Sequence, residues 1–212
     1  MTSGLWLPSP GGYQRAYSES YSLAFDRLAK ADLDEVCRDT GAVRCSDGSL
    51  SLTFLGDEMV VDVDRRTVAS ASGTLSMTDQ LVILHYLVTS GGKAPSEKLV
   101  SFKELPDGTV YYPTFYRRAI APIVKHFGDS PKDLVAAAAA MGGEPVSLGD
   151  AAVAIQALPR VTLSWVLWRG DDDFPAEGAV LFDSTIVDYL PIEDIAVLCQ
   201  SITLKLTGKS AH

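Results

Sequence analysis

The residues that most constrain the fold lie between positions 159 and 190, PRVTLSWVLWRGDDDFPAEGAVLFDSTIVDYL. In the run VTLSWVLW at 161–168, alternate side chains point to opposite faces of an extended chain, and both faces are partly apolar. Such a run predicts an interior strand, or a strand covered by a helix. An acidic turn at 171–173 follows, and then a second apolar run at 178–182, which is too short to distinguish a strand from a helix.

Helical and strand-like patterns share the rest of the chain. Two alternating runs, 50–54 and 59–63, flank the pair Gly56 and Asp57, which predicts a β-hairpin. A short strand is predicted at 151–157, and apolar residues at helical spacing predict helices over 13–30, 33–39, 76–90, 131–141 and 192–206. A further helix is predicted to have Pro113 in its first turn and to be kinked or split at Pro122.

These elements predict an α+β fold. We expect a single domain in which a mixed or mainly antiparallel sheet carries helices packed against it. Residues 1–12 are predicted to form a flexible N-terminal arm, and residues 13–212 a single globular α+β domain.

The charge balance argues against two classes of partner. The chain has 18 Lys and Arg residues against 27 Asp and Glu residues, a net charge of -9, which opposes binding to nucleic acid or to anionic lipid. No run approaches the roughly 20 apolar residues that cross a bilayer. The first residues, MTSGLWLPSPGGY, lack the basic start and long apolar core of a signal peptide. We therefore predict a cytoplasmic protein with neither nucleic acid nor a membrane as partner.

The cysteines do not form a metal-binding pattern. Cys37, Cys45 and Cys199 include no pair at two-residue spacing, and their odd number argues against a disulfide framework. The prediction is therefore three reduced thiols and no iron–sulfur cluster in this chain.

One histidine and a basic group are candidate ligand-binding residues. His85 lies on the apolar face of the helix predicted over 76–90, where an imidazole can ligate a metal, bind axially to a tetrapyrrole or move a proton. It can equally well form a hydrogen bond with a neighbouring carbonyl or carboxylate. Lys103, Arg117 and Arg118 are a candidate anion site, since guanidinium groups suit carboxylate and phosphate; the alternative is that they pair with surface carboxylates.

The acidic residues after Trp168 are a candidate cation site. Asp171, Asp173, Glu177 and Asp183 offer oxygens that suit a hard cation, although their spacing is not that of a calcium loop, and a solvated turn is the alternative. The sequence has no nucleophile elbow, phosphate loop, dinucleotide fingerprint or paired-histidine site, so no catalytic residue is assigned.

Four segments of the chain resemble a known family. They are LVILHYLVTSGG at 81–92, LVSFKELPDGTVYYPTF at 99–115, GDAAVAIQALPRVTLSWVLWRGDDDFPAEGAVLFD at 149–183 and VDYLPIEDI at 187–195. They are similar to the bacterial and archaeal family called domain of unknown function 3786. The resemblance implies a protein common in anaerobes, with some relatives fused to an iron–sulfur cluster domain, and it implies no established activity.

These observations predict a ligand- or cofactor-binding accessory protein of anaerobic metabolism. Its ligand would be a tetrapyrrole or an anionic small molecule, and an iron–sulfur protein is a possible partner by analogy with the fused relatives. The predicted pocket residues are His85, Tyr86, Phe102, Lys103, Arg117, Arg118, Trp165 and Trp168. The alternatives are a metal-assisted enzyme that uses the acidic cluster and a protein–protein adaptor.

Overall fold

A computed structural model describes residues 10–208 and the side chains of residues 15–208. The predicted arm, residues 1–12, lies outside this range except for residues 10–12, which belong to the first helix. The helices are α1 Pro10–Leu28, α2 Leu33–Thr40, α3 Met77–Thr89, α4 Gly108–Phe115, α5 Ala121–Phe127, α6 Pro131–Ala138 and α7 Ile192–Leu206. The strands are β1 Val43–Arg44, β2 Leu50–Phe54, β3 Asp57–Asp62, β4 Thr67–Ser70, β5 Leu99–Ser101, β6 Glu144–Pro145, β7 Ala151–Leu158, β8 Val161–Trp168 and β9 Glu177–Asp183.

The strands form two antiparallel sheets. The first has the order β1-β2-β3-β4 and the second the order β5-β9-β8-β7-β6. Every strand pair described is antiparallel. The Leu55 N–H, in the turn after β2, donates to the Ala157 carbonyl of β7 (3.0 Å) and connects the first sheet to the second. The predicted α+β fold with a mainly antiparallel sheet is confirmed, with two sheets in place of one.

The apolar run at 161–168 is the central strand of the second sheet. β8 pairs with β7 on one side and with β9 on the other, so the short run at 178–182 is a strand. Gly178 of β9 is the pair partner of Leu167, and a Cβ added at Gly178 would meet the side chains of both Leu167 and Val124 of α5. The Leu167 side chain therefore lies on the face of the sheet that packs against the helices. Trp165 lies on the same face of β8 and is 1% exposed. The prediction of an interior strand is therefore confirmed.

The β2–β3 hairpin turns one residue earlier than predicted. Phe54 pairs with Asp57, so the two turn residues are Leu55 and Gly56, with φ values of 51° and 85°. Positive φ at both positions is what a type I′ turn requires, and it is unfavourable for leucine. The buried Leu55 side chain and its N–H bond to the second sheet compensate for this strain.

Helix boundaries follow local chemistry in most places. Ser76 accepts a hydrogen bond from the Asp79 N–H and begins α3, as predicted, and α7 has its predicted bounds. Gly41 ends α2 in the left-handed conformation, with φ 76°. Ser130, followed by Pro131, is predicted to cap α6; its side chain forms no hydrogen bond at that helix end, so the predicted cap is wrong.

Two prolines shape the helical segment between α4 and α5. Pro113 lies inside α4 and not in its first turn, which corrects the prediction. Residues Tyr116–Ile120 form a π-helix, in which the Ala121 N–H donates to the Tyr116 carbonyl. Pro122 follows directly; since proline has no N–H to donate, a wider turn at this position replaces the regular α-helical pattern. The helix is therefore divided near Pro122, as predicted, and a π-helix separates its two parts.

One hydrophobic core joins the two sheets and the α-helices. It includes Phe25 of α1, Phe54 of β2, Leu84 of α3, Leu163 of β8 and Leu198 of α7. Because both sheets and the helices contribute to one core, the described part of the chain is a single domain. Within residues 10–208, none of the helices combines the length and the apolar character needed to cross a membrane.

Candidate functional site

His85 forms a half-buried pair with a carboxylate that the sequence analysis did not assign to it. Its Nδ1 lies 2.7 Å from Oδ2 of Asp194, in the first turn of α7. The two side chains are 27% and 14% exposed, and they connect α3 to α7. A second bond, from the Ser201 hydroxyl to the buried Asp79 carboxylate (2.7 Å), joins the same two helices further along. His85 thus adopts the carboxylate-bonded alternative.

Three of the predicted pocket residues are part of the core. Tyr86 is fully buried; its hydroxyl donates to the Thr40 carbonyl and accepts from the Arg160 N–H. Burial raises the pKa of this hydroxyl well above its ordinary value. Phe102 is 1% exposed, and Trp165 Nε1 is buried with no hydrogen-bond partner among residues 15–208. These positions make the three rings supports of the fold.

The other predicted pocket residues lie at the surface. Lys103 Nζ lies 4.1 Å from the centre of the Tyr112 ring, a cation–π contact. Trp168 is 42% exposed and ends β8. Arg117 and Arg118 are exposed on the π-helix, and within residues 15–208 neither has a carboxylate within 4 Å. The structure therefore distributes the eight predicted residues over several places.

The acidic residues after Trp168 likewise separate. Asp171 Oδ1 accepts hydrogen bonds from the backbone N–H groups of Asp173 and Phe174, which orders the turn. Glu177 pairs with Trp168 at the far end of β9 from Asp183. Among the side chains of residues 15–208, no group of three or more His, Cys, Asp or Glu is arranged to hold a metal ion.

Asp183 has a structural environment. Its carboxylate accepts five hydrogen bonds, from the N–H and hydroxyl groups of both Ser96 and Thr185 and from the N–H of Glu97. Burial by itself raises the pKa of this carboxyl, but the bonds from Thr185 and Ser96 outweigh burial and hold the pKa well below its ordinary value. Asp183 thereby fastens the exposed loop 91–98 to the end of β9.

A small cavity lies between the α4–π-helix segment and α7, and we call it the α4–α7 groove. Its volume is about 190 Å³, and it is lined by Tyr111, Thr114, Phe115, Arg118, Glu193, Ala196 and Val197. Four of these side chains recur at helical spacing on the first segment, and the other three recur on α7. Two amphipathic helical faces therefore meet at this cavity.

The floor of the α4–α7 groove is held by aromatic stacking. Phe115 is 2% exposed and stacks on Phe102, with ring centres 3.9 Å apart and planes 7° from parallel. Gly108 begins α4 where a Cβ would lie 1.8 Å from the Phe102 carbonyl oxygen, so only glycine fits. This close approach connects the start of α4 to the segment that carries Phe102 and aligns the two rings.

The two ends of the groove differ in charge. The Tyr111 hydroxyl donates to Glu193 (3.3 Å), and the charge of Glu193 raises the pKa of this hydroxyl. Arg118 lines the same cavity, and no carboxylate of residues 15–208 lies within 4 Å of its guanidinium nitrogens. Within residues 15–208, the only Arg or Lys side chains with a carboxylate within 4 Å are those of Arg38, Arg44, Arg65 and Arg66. Among the described residues, Arg118 therefore has no carboxylate as a counter-ion.

A larger depression lies between β2 and β7 and has a different character. Its volume is about 410 Å³, and Glu58, the one charged lining residue within 15–208, already accepts a hydrogen bond from Ser51 (2.8 Å). None of the lining residues that the structure describes is a cation, so this part of the chain offers no anchor for an anionic ligand there.

Of the predicted pocket residues, only Arg118 lines the α4–α7 groove. Sequence reasoning identified Arg118 from its charge and missed its neighbours Glu193, Ala196 and Val197. The only signal that these three residues carry is helical spacing, which marks a face of α7 without naming what packs against it.

Comparison with known proteins identifies the family. The family model described as Domain of unknown function (DUF3786) matches residues 32–205, a range that includes every lining residue of the α4–α7 groove. No curated protein and no solved structure matches the chain. Because the family match spans most of its length, the chain belongs to the DUF3786 family.

Proposed function

We propose that this protein is a ligand-binding protein and that the α4–α7 groove is its binding site. The ligand is a small molecule in which an apolar group carries a neighbouring carboxylate. The observation that carries this proposal is Arg118, an arginine without an ion pair within residues 15–208, at the edge of a cavity whose floor is Phe115. A guanidinium fork matches the two oxygens of a carboxylate, and Phe115 and Val197 suit an apolar group.

The size of the cavity limits the ligand. An engineered apolar cavity of about 150 Å³ holds a benzene molecule, so the 190 Å³ groove accommodates one phenyl ring or one branched aliphatic group. Sites for drug-sized ligands are larger, about 300–1,000 Å³. The groove therefore favours a compact carboxylate, such as an aromatic acid, over a tetrapyrrole.

The first test is a titration with 3-phenylpropanoate, followed by amide chemical shifts in nuclear magnetic resonance spectra. Ligand efficiencies of about 0.3–0.4 kcal/mol per non-hydrogen atom give a molecule of this size a dissociation constant on the order of 1 mM. The shifts should concentrate at residues 111–118 and 193–197. The uncharged analogue 3-phenylpropanamide should bind at least about tenfold more weakly, because it cannot form a charge-assisted pair with Arg118.

Two variants and a matched control distinguish the contribution of the Arg118 charge to ligand binding from that of the shape of the groove. Arg118→Gln should weaken binding of 3-phenylpropanoate but not of its amide, whereas Ala196→Leu, which fills the groove, should weaken both. Arg117→Gln removes the same charge from the adjacent residue, which does not line the groove, and should leave binding nearly unchanged. Equal binding of the acid and the amide, or equal effects of the two arginine substitutions, would refute the proposal.

The wider role predicted from the sequence belongs to the same proposal. We place this binding function in the cytoplasm, as an accessory activity of anaerobic metabolism that can act beside an iron–sulfur protein. The net charge of -9 supports a role that involves neither nucleic acid nor a membrane.

A further inference from the structure

We propose that the α4–α7 groove also binds a second copy of this chain, through the tip of the β8–β9 hairpin. The hairpin tip is residues 169–176, RGDDDFPA, and Phe174 is the side chain that enters the groove. This inference rests on the proposed function, because it names a macromolecular occupant for the same site: an apolar ring with carboxylates beside it.

The hairpin tip presents a large apolar side chain to solvent. Phe174 is 71% exposed, although phenylalanine is commonly buried. The ring projects from an ordered turn, since the Asp171 N–H donates to the Phe174 carbonyl (2.8 Å) and Asp171 Oδ1 accepts from the Phe174 N–H (2.8 Å). Ordering before association reduces the conformational entropy that binding must remove.

The hairpin tip and the Arg118 end of the groove have complementary charges, whereas Glu193 lies at the other end, beside the Tyr111 hydroxyl. Asp171, Asp172 and Asp173 precede Phe174, and within residues 15–208 none of them has a cation within 4 Å. The segment 108–128, which forms one wall of the groove, contains Arg117, Arg118 and Lys125 and no acidic residue. Opposite charges on the two surfaces favour this pairing over a contact between two hairpin tips or between two grooves.

The cavity has room for the ring that the tip supplies. Its volume of 190 Å³ exceeds that of a cavity known to hold benzene, and its apolar lining includes Phe115, Ala196 and Val197. With Phe174 seated, the preceding aspartates would lie near Arg118 at the edge of the groove. The features used for a small aromatic carboxylate therefore also suit an aspartate–phenylalanine turn.

The positions of the two surfaces permit a closed dimer. The hairpin tip lies at the end of α5, because a Cβ added at Gly128 would be 3.0 Å from the Ala176 Cβ. Arg118 is ten residues earlier on the same helical segment, so at 1.5 Å per residue the tip and groove are separated by about 15 Å along its axis. In the proposed dimer, the helical segments 108–128 of the two copies lie antiparallel across a two-fold axis. The hairpin tip of each copy then meets the groove of the other, so two identical tip–groove contacts form together.

The test is the mass of the full chain by sedimentation equilibrium, from about 10 μM to about 1 mM, the range in which a small interface associates. We expect a concentration-dependent monomer–dimer equilibrium. Phe174→Ser and Arg118→Asp should each weaken the dimer at least about tenfold. Asp172→Arg should weaken it as well, and the double variant Asp172→Arg with Arg118→Asp should restore association, because the charges are exchanged in both contacts.

Matched controls remove equivalent groups elsewhere. Val43→Ser removes another exposed apolar side chain, 63% exposed on β1, and Lys132→Asp reverses an exposed charge on α6. Both should dimerise as the original chain does. Phe174→Ser should have the same melting temperature as the original chain, since the Phe174 ring is exposed. This measurement shows whether a loss of association results from a loss of folding.

The outcomes separate this inference from the proposed function. In the dimer, 3-phenylpropanoate should compete with Phe174 and shift the equilibrium towards monomer. A chain that binds 3-phenylpropanoate but stays monomeric at 1 mM would overturn the self-association and leave the ligand-binding function intact. A dimer that persists in Phe174→Ser, or that ignores saturating 3-phenylpropanoate, uses another surface and would also overturn the inference.

Discussion

Replacement of Asp183 by asparagine tests how the loop between α3 and β5 is held. In the structure, the Asp183 carboxylate accepts from Ser96 and Glu97 of this loop and from Thr185 beside it. Asparagine keeps the shape of the side chain but has one acceptor oxygen. Its amide NH₂ would face the Glu97 N–H, which donates to Asp183 Oδ2 (2.8 Å), so two donors would oppose each other.

The expected loss of stability follows from these contacts. The bond from Glu97 is lost, at about 1.5 kcal/mol for a bond to a charged acceptor. The two bonds from Ser96 become neutral and lose about half of their strength, a further ~1.5 kcal/mol in total. The bonds from Thr185 are local in sequence and contribute less to the difference between the folded and unfolded states. We expect the free energy of unfolding to fall by about 2–3 kcal/mol, which lowers the melting temperature by about 5–10 °C in a chain of this size.

The effect should depend on pH in a defined direction. The pKa of Asp183 is lower in the folded than in the unfolded state, so the unfolded chain takes up this proton first as the pH falls. The stabilisation by the ionised carboxylate is therefore complete well above the unfolded pKa of about 3.9 and declines below it. The free energy of unfolding of the original chain should exceed that of Asp183→Asn by a constant amount from about pH 6 upward. This excess should become smaller below about pH 4.

Urea unfolding followed by circular dichroism measures the free energy of unfolding of both chains. Measurements at pH 7 and at pH 3.5 give the loss caused by Asp183→Asn and its dependence on pH. Asp172→Asn is the matched control: it removes the same charge from an exposed carboxylate that accepts no hydrogen bond from residues 15–208, and should change stability by less than about 0.5 kcal/mol. A loss below about 1 kcal/mol for Asp183→Asn, or a loss that grows as the pH falls, would refute this account of loop anchoring.

Three further predictions concern single contacts. His85→Gln and Asp194→Asn should each lower the free energy of unfolding by about 1 kcal/mol, and the double variant by less than the sum, in urea titrations. Glu193→Gln should lower the Tyr111 pKa, because the charge that raises it is gone; absorbance at 295 nm, with Tyr111→Phe as reference, measures this. The Cys199 thiol, fully buried with its pKa raised by burial, should react with Ellman's reagent only after unfolding.

The elements that sequence reasoning predicted well have patterns that depend only on neighbouring residues. The bounds of α7 follow from apolar residues at helical spacing, and β8 follows from its alternation. The misplaced hairpin turn shows where a distant residue bears on the local conformation. Leu55 adopts a positive φ while its side chain is buried and its N–H donates to Ala157 of the second sheet, a partner that the local sequence does not indicate.

The residues of the candidate site likewise include some that the sequence indicated and some that it did not. Arg118 was identifiable because an arginine beside aromatic residues in an acidic chain is conspicuous, whereas the partner of His85 lies 109 positions away on another helix. Sequence also grouped Trp165, Phe102 and His85 by residue type, although the first two rings support the core and the third bonds to Asp194. Residue type indicates what a side chain can do, but not which side chains meet.

The sequence by itself determined the α+β class, the interior strand at 161–168, the C-terminal helix and membership of the family, because periodicity and motif similarity are properties of contiguous residues. Only the tertiary structure decided that Arg118 faces Val197 across a cavity, that Asp183 fastens a loop, and that Phe174 remains exposed. These features depend on the packing of helices and strands distant in sequence, and packing is set by the complementarity of whole faces, which no local pattern specifies.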